Sequence, residues 1–153
     1  MEKSLDDKTE QSGKMKKLVV GIGNAVLGDD SIGIRVAKEL ENEFEVKVTT
    51  PSALLEAIAG YDRVVIVDAI SGAGEIGDVF EVELPENPRF TSSHSLGIIE
   101  MLSLGKVLYP EKMPKEVRIV AIEVGRMQIG EGLSEEVERA LEKAVAFVRE
   151  ILS

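Results

Sequence analysis

The chain has 153 residues, 44% of them hydrophobic, and a formal net charge of -10 at pH 7. This length suits one domain with a single core, and the negative charge argues against nucleic acid or an anionic membrane surface as partner, because phosphates would be repelled. The absence of cysteine excludes disulfides, thiolate metal sites and a cysteine nucleophile.

The first 14 residues are polar, mixed in charge and without periodicity, which predicts a flexible leader before a domain at 15–153. The N-terminal segment has no apolar stretch typical of a signal peptide. No run in the chain approaches the roughly 18 apolar residues of a membrane span. We therefore expect a cytoplasmic protein.

Strand and helix patterns then alternate along the chain. A continuous apolar strand at 17–22 is followed by a helix whose buried side is predicted to carry Ile34, Val36, Ala37 and Leu40. A short strand at 45–49 precedes a helix that begins near Pro51. The third strand, 63–68, reads RVVIVD and is apolar enough to lie in the middle of a sheet.

The second half continues the alternation. Residues 78–84 alternate in polarity, as in a strand with one exposed face at an edge of a sheet. A loop at 85–93, a helix at 95–107, a strand at 116–123 and a terminal helix at 134–152 capped by Ser134 follow. This order predicts a single-domain α/β three-layer sandwich with a mostly parallel five-stranded sheet and helices on both faces.

Ligands of such sheets collect at the carboxyl ends of the strands. Asp29 and Asp30 follow the first strand, Asp68 ends the third, and His94, the only histidine, precedes the 95–107 helix. Each alone has a plainer explanation as a helix cap, a turn residue or a structural histidine. Of the two adjacent aspartates, we expect one to face the site and the other to cap the helix.

Together, two carboxylates and one imidazole form an incomplete first coordination shell. Such a shell suits a divalent ion such as nickel, zinc, manganese or iron, with positions open for another ligand. Classical hydrolase motifs are absent, and adjacent aspartates seldom direct both carboxyl groups at one water, which argues against a paired-aspartate protease.

The glycines leave a second hypothesis open, that of a nucleotide-binding Rossmann-like protein. Gly21, Gly23 and Gly28 form a G-x-G-x4-G pattern between a strand and a helix. The final spacing differs from the dinucleotide fingerprint, and the acid expected at the end of the second strand is missing. Two carboxylates beside this turn would also repel a pyrophosphate.

The segment GIGNAVLGDDSIG at 21–33 resembles the signature of the hydrogenase maturation endopeptidases. Further matches follow in the same order: VDA at 67–69, GEI at 74–76, SHSL at 93–96 and GEGLS at 130–134 with Val137. The first motif is specific because it combines G-x-G-N with the acidic pair. The likeness extends from about Lys16 to the C-terminus.

This resemblance implies an endopeptidase that removes the C-terminal extension of a nickel-iron hydrogenase large-subunit precursor after nickel insertion. The family's catalytic and metal-contacting residues fall on Asp30, Asp68 and His94, with the nickel supplied by the precursor. A divalent surrogate such as zinc or cadmium is expected to be able to occupy the site in vitro. A non-proteolytic nickel-precursor binding or chaperone module remains the alternative.

Two positions depart from the family pattern. Residues 49–52 read TTPS where many members carry an Asp-Gly-Gly-Thr-like segment, and Ser31 stands where glycine is usual. The first departure puts in doubt a catalytic role for that loop and leaves a variant substrate open.

Overall fold

The computed structural model describes residues 15–23, 31–84, 96–125 and 134–153. They form one five-stranded sheet in the order β2-β1-β3-β5-β4, with helices on both faces. The strands are β1 (Lys17–Ile22), β2 (Glu45–Thr49), β3 (Arg63–Ile70), β4 (Val79–Val82) and β5 (Glu116–Glu123). The helices are α1 (Ile32–Glu39), α2 (Leu54–Ile58), α3 (Leu96–Leu108) and α4 (Glu135–Leu152), and a 3-10 turn at Pro51–Ala53 leads into α2.

The sheet confirms the predicted fold class. Strands β2, β1, β3 and β5 pair in parallel, and β4 pairs antiparallel with β5 at the edge. Each parallel connection needs a crossover, which the intervening helices supply. The apolar strand β3 lies in the middle, as its composition predicts.

Two apolar clusters cover the two faces of the sheet. Alternate residues of β3 belong to different clusters: Val65 and Val67 pack with α1 and α4, whereas Val64 and Ile66 pack with α2 and α3. This division follows from the two-residue period of a strand. The predicted inward residues of α1, at positions 34, 36, 37 and 40, are all buried.

Helix α3 runs back along the sheet from the carboxyl ends of the strands toward their amino ends. Near its start, a Cβ placed on Gly97 would be 3.5 Å from the side chain of Pro51, which follows β2. Near its end, a Cβ on Gly105 would be 2.6 Å from the sulfur of Met113, which precedes β5. The first turn of α3 therefore lies at the edge where ligands are expected.

Some predicted boundaries change. Strand β3 does not end at Asp68 but continues to Ile70, because Ala69 and Ile70 still pair with Ile122 and Glu123 of β5. Strand β4 is shorter than predicted, and α3 ends one residue later; Ser95, where α3 was predicted to begin, lies outside the described residues. The predicted leader at 1–14 and the loop at 85–93 lie outside the described residues.

The N-cap of α1 is Ser31, and its side chain makes no capping hydrogen bond. The aspartate predicted to cap the helix, Asp29 or Asp30, lies outside the described residues, and α1 begins two residues after Asp30. At α4 the prediction is confirmed, since the Ser134 hydroxyl accepts a hydrogen bond from the Val137 N–H at 3.4 Å.

Within the described residues, no helix is both long enough and apolar enough to cross a membrane.

Candidate functional site at the carboxyl edge of the sheet

Asp68 lies near the carboxyl end of the central strand β3. Its side chain shares the sheet face of Val64 and Ile66, the face that α2 and α3 cover. Only 4% of its surface is exposed. An ionisable side chain this deeply buried in a strand is uncommon, and such groups are frequent in functional sites.

The first turn of α1 lies directly against the carboxyl ends of β1 and β3. A Cβ on Gly33 would be 2.5 Å from the carbonyl oxygens of both Ile22 and Val67. A Cβ on Gly21 would in turn be 2.5 Å from the carbonyl oxygen of Gly33. Only glycine at both positions permits this backbone contact, which brings the start of α1 beside Asp68.

The Gly21–Gly33 contact also bears on the nucleotide-binding hypothesis. Gly21, the first glycine of the G-x-G-x4-G pattern, is required here for packing of the helix on the strand. Strand β2 ends at Thr49, so no carboxylate stands where a dinucleotide site would use one to bind ribose.

Asp29, Asp30 and His94 lie outside the described residues. What the structure gives is the position of the elements that follow them: α1 begins two residues after Asp30, and α3 begins two residues after His94. Within the described ranges, no three histidine, cysteine or acidic side chains form a metal-binding group. The joint site of Asp30, Asp68 and His94 therefore stays a prediction.

The segment at 49–52, whose sequence departs from the family pattern, lies at the same edge. It links the end of β2 to the turn at Pro51–Ala53, and the hydroxyl groups of Thr50 and Ser52 are 3.1 Å apart. Since Pro51 lies close to Gly97 at the start of α3, this segment borders the candidate site although it contributes no carboxylate.

Glu123 is a second buried acid at this edge, and the sequence interpretation missed it. It ends β5, pairs in register with Ile70, and is 1% exposed. Its carboxylate accepts hydrogen bonds from the backbone N–H groups of Gly72 (3.0 Å), Ala73 (2.7 Å) and Gly125 (2.9 Å). The sequence did carry a sign of its role, because Glu123 is the acidic last residue of an apolar strand. Asp68 has a similar position, two residues before the end of β3.

Comparisons with known proteins agree with the fold. The family model for the hydrogenase maturation protease HycI matches residues 34–151. The hydrogenase 2 maturation protease of Escherichia coli is 31% identical, over 89% of this chain and 92% of that protein. The structure of the hydrogenase maturation protease HycI from Thermococcus kodakarensis superposes with a TM-score of 0.71 at 28% identity, covering 97% of both chains. HybD from the same organism gives a TM-score of 0.73 at 25% identity, over 91% of this chain and all of that one.

Proposed function

Since the chain belongs to the hydrogenase maturation protease family, we propose that it is the endopeptidase that trims a nickel-iron hydrogenase large-subunit precursor. It removes the C-terminal extension in the cytoplasm, after nickel has been inserted. The protease recognises the precursor by binding the nickel that the precursor carries, with Asp30, Asp68 and His94 as ligands.

One observation supports this proposal above the others. The carboxylate of Asp68 lies at the carboxyl edge, and the elements that directly follow Asp30 and His94 begin at that same edge. Helix α1 covers one face of the sheet and α3 the other, so their first turns flank the end of β3. Segments that approach one strand end from both sides are suited to enclose a shared ion.

The chemistry follows from the donor set. Two carboxylates and an imidazole are oxygen and nitrogen donors that suit a divalent transition metal. Binding the nickel of the precursor would hold the scissile peptide close to an ion that polarises its carbonyl group or a bound water. A precursor without nickel lacks this anchor, so specificity for the matured metal centre follows from the same residues.

The decisive experiment compares nickel-loaded and nickel-free precursor as substrates. We expect the loaded precursor to lose its C-terminal extension, seen as a mass decrease, and the nickel-free precursor to stay intact. Equal cleavage of both forms would contradict recognition through nickel. Stable binding of the loaded precursor without any mass change would instead favour the non-proteolytic binding module.

The predicted ligands are tested by substitution. Asp30→Ala and His94→Ala are expected to abolish cleavage of the loaded precursor because each removes one donor from the shared ion. A variant of either residue that cuts at the normal rate would remove that residue from the role.

A further inference from the structure

Glu123 holds together both ends of the loop between β3 and β4, residues 71–78, which we call the rim loop. Its side chain accepts hydrogen bonds from Gly72 and Ala73 at the beginning of the loop. At the end of the loop, the backbone carbonyl of Glu123 accepts from the Gly77 N–H at 2.8 Å, and its own N–H donates to Asp78 at 2.9 Å. One residue of β5 therefore fixes the rim loop at four points.

The same carboxylate also fixes the chain that leaves β5. It accepts the N–H of Gly125 at 2.9 Å, and Gly125 adopts a φ of +69°. A Cβ on Gly125 would be 2.7 Å from the side chain of Ile76 in the rim loop. The rim loop thus packs on the segment after β5 as well as hydrogen-bonding to its last strand residue.

The rim loop borders the candidate site. It begins directly after Ile70, two residues beyond Asp68, and Ile70 is the register partner of Glu123. Asp68 and Glu123 also project from the same face of the sheet, since Asp68 pairs with Ala121 and side chains alternate along β5. The two buried acids are therefore neighbours at one strand edge, and one of them organises the adjoining loop.

The energetics argue that this arrangement serves more than stability. Residues 71–76 are exposed, so ordering them buries little apolar surface, whereas burying the Glu123 carboxylate carries a desolvation cost. Three backbone N–H groups offset that cost through charge-assisted hydrogen bonds. A loop already ordered in the free protein loses less conformational entropy when it binds a partner.

We propose that Glu123 is a positioning residue that holds the rim loop as a preformed wall beside Asp68, against which the substrate polypeptide is bound. This inference rests on the proposed function. Glu123 itself does not touch the reacting atoms. Its loss should therefore weaken binding of the precursor more than it slows the chemical step.

The first test is Glu123→Gln, which keeps the shape of the side chain but replaces one acceptor oxygen by an NH2 group that faces a backbone N–H. We expect KM for the nickel-loaded precursor to rise about 10-fold, with kcat within about 2-fold of the parent value. Amide hydrogen exchange at Gly72, Ala73 and Gly125 should accelerate. Glu123→Asp, which keeps the charge, is expected to recover part of the lost affinity.

Glu81→Gln is the matched control on the same pair of strands. Glu81 makes two hydrogen bonds to Arg118, at 2.8 and 2.7 Å, away from the carboxyl edge. Its substitution should leave KM and the exchange rates of the rim loop unchanged. An equal rise of KM in both variants would assign the effect to general destabilisation and overturn the proposal.

A second pair of variants leaves the Glu123 side chain untouched. Gly72 and Gly60 have φ angles of +88° and +89°, and among the described residues a Cβ on either would meet nothing within 4 Å. Alanine strains the backbone equally at both positions, but only Gly72 belongs to the rim loop. We expect Gly72→Ala to raise KM and Gly60→Ala to leave it unchanged; identical KM values for the two would contradict the proposal even if Glu123→Gln does not fold.

The dissociation constant of the loaded precursor separates the two proposals. If the parent protein binds the precursor but does not cut it, the proposed function fails, and weaker binding by Gly72→Ala than by Gly60→Ala still supports the rim loop as a binding wall. If the parent protein cuts the precursor and all variants share its KM, the proposed function stands and the role of Glu123 fails.

Discussion

Gly33 and Val67 are in backbone contact: a Cβ on Gly33 would lie 2.5 Å from the Val67 carbonyl oxygen. Val67 directly precedes Asp68, so this contact fixes how closely α1 approaches the buried acid. The helix that follows the acidic pair is thus set against the strand that carries Asp68 with no side chain between them.

This contact makes Gly33→Ala destabilising. The added methyl group meets rigid backbone at two points, and relieving that overlap by shifting α1 should cost about 1–3 kcal/mol. Gly97→Ala is the control, because Gly97 is also the second residue of its helix and, of the described residues, its Cβ would meet only Pro51, at an ordinary 3.5 Å. That control should be neutral or stabilising by up to about 1 kcal/mol. Urea unfolding measures both, and equal stability of the two variants would contradict the close approach.

Asp68→Asn should abolish cleavage of the nickel-loaded precursor while the protein stays folded. The amide keeps the size of the side chain but removes the negative charge with which Asp68 would bind the nickel cation, so a loss of more than about 100-fold in kcat/KM is expected. Asp62→Asn is the control at the opposite end of the same strand, where the Asp62 carboxylate accepts the Lys16 N–H at 2.8 Å. Circular dichroism checks folding of both; normal cleavage by Asp68→Asn would exclude Asp68 from the site.

The Glu81–Arg118 ion pair should stabilise the edge strand at neutral pH and lose its effect in acid. Hydrogen bonds to the Arg118 guanidinium hold the pKa of Glu81 below its ordinary value of 4.5. Because the pKa is lowered in the folded state, the stabilisation is present above pH 4.5 and is lost as pH falls through the folded-state pKa. Glu81→Gln is expected to cost up to about 1 kcal/mol at pH 7. Thermal unfolding of the parent protein and of Glu81→Gln at pH 7 and pH 3 measures this. If the difference in stability between the two proteins is as large at pH 3 as at pH 7, the ion pair does not have the predicted effect.

Tyr61 should ionise late in alkali. Burial, together with the hydrogen bond that its hydroxyl donates to the Glu45 carboxylate at 2.6 Å, raises the pKa of Tyr61 to about 12 from an ordinary value of 10. The hydrogen bond therefore contributes its full stabilisation below pH 10 and loses it as pH rises through about 12. Tyr61→Phe should cost about 1 kcal/mol at pH 8.

The phenolate absorbance gives a direct measurement of this pKa. The chain has two tyrosines, so a Tyr109→Phe background leaves Tyr61 as the single titrating ring. Glu45→Gln in that background should lower the midpoint toward 10, because the partner charge disfavours the phenolate. A Tyr61 midpoint near 10 with Glu45 intact would contradict the hydrogen bond between the two side chains.

The strands and helices were predictable because their patterns reflect burial directly. The run RVVIVD can only suit a strand covered on both faces, and the alternation DVFEVEL predicted an edge strand, which β4 is. The extension of β3 to Ile70 was missed because it depends on pairing with β5, a partner distant in the sequence. The predicted ligand set of Asp30, Asp68 and His94 came from the strand-edge rule and from the family motif, and only the placement of Asp68 is described.

The sequence alone determined the α/β class, the order of the elements and the edge at which function was expected, because periodicity and chain order are local properties. Only the tertiary structure decided the backbone contact of Gly21 with Gly33 and the gathering of Gly72, Ala73 and Gly125 around Glu123. These contacts join residues from different elements. A glycine or a glutamate looks the same in sequence whether it faces solvent or another backbone, so their roles follow from packing.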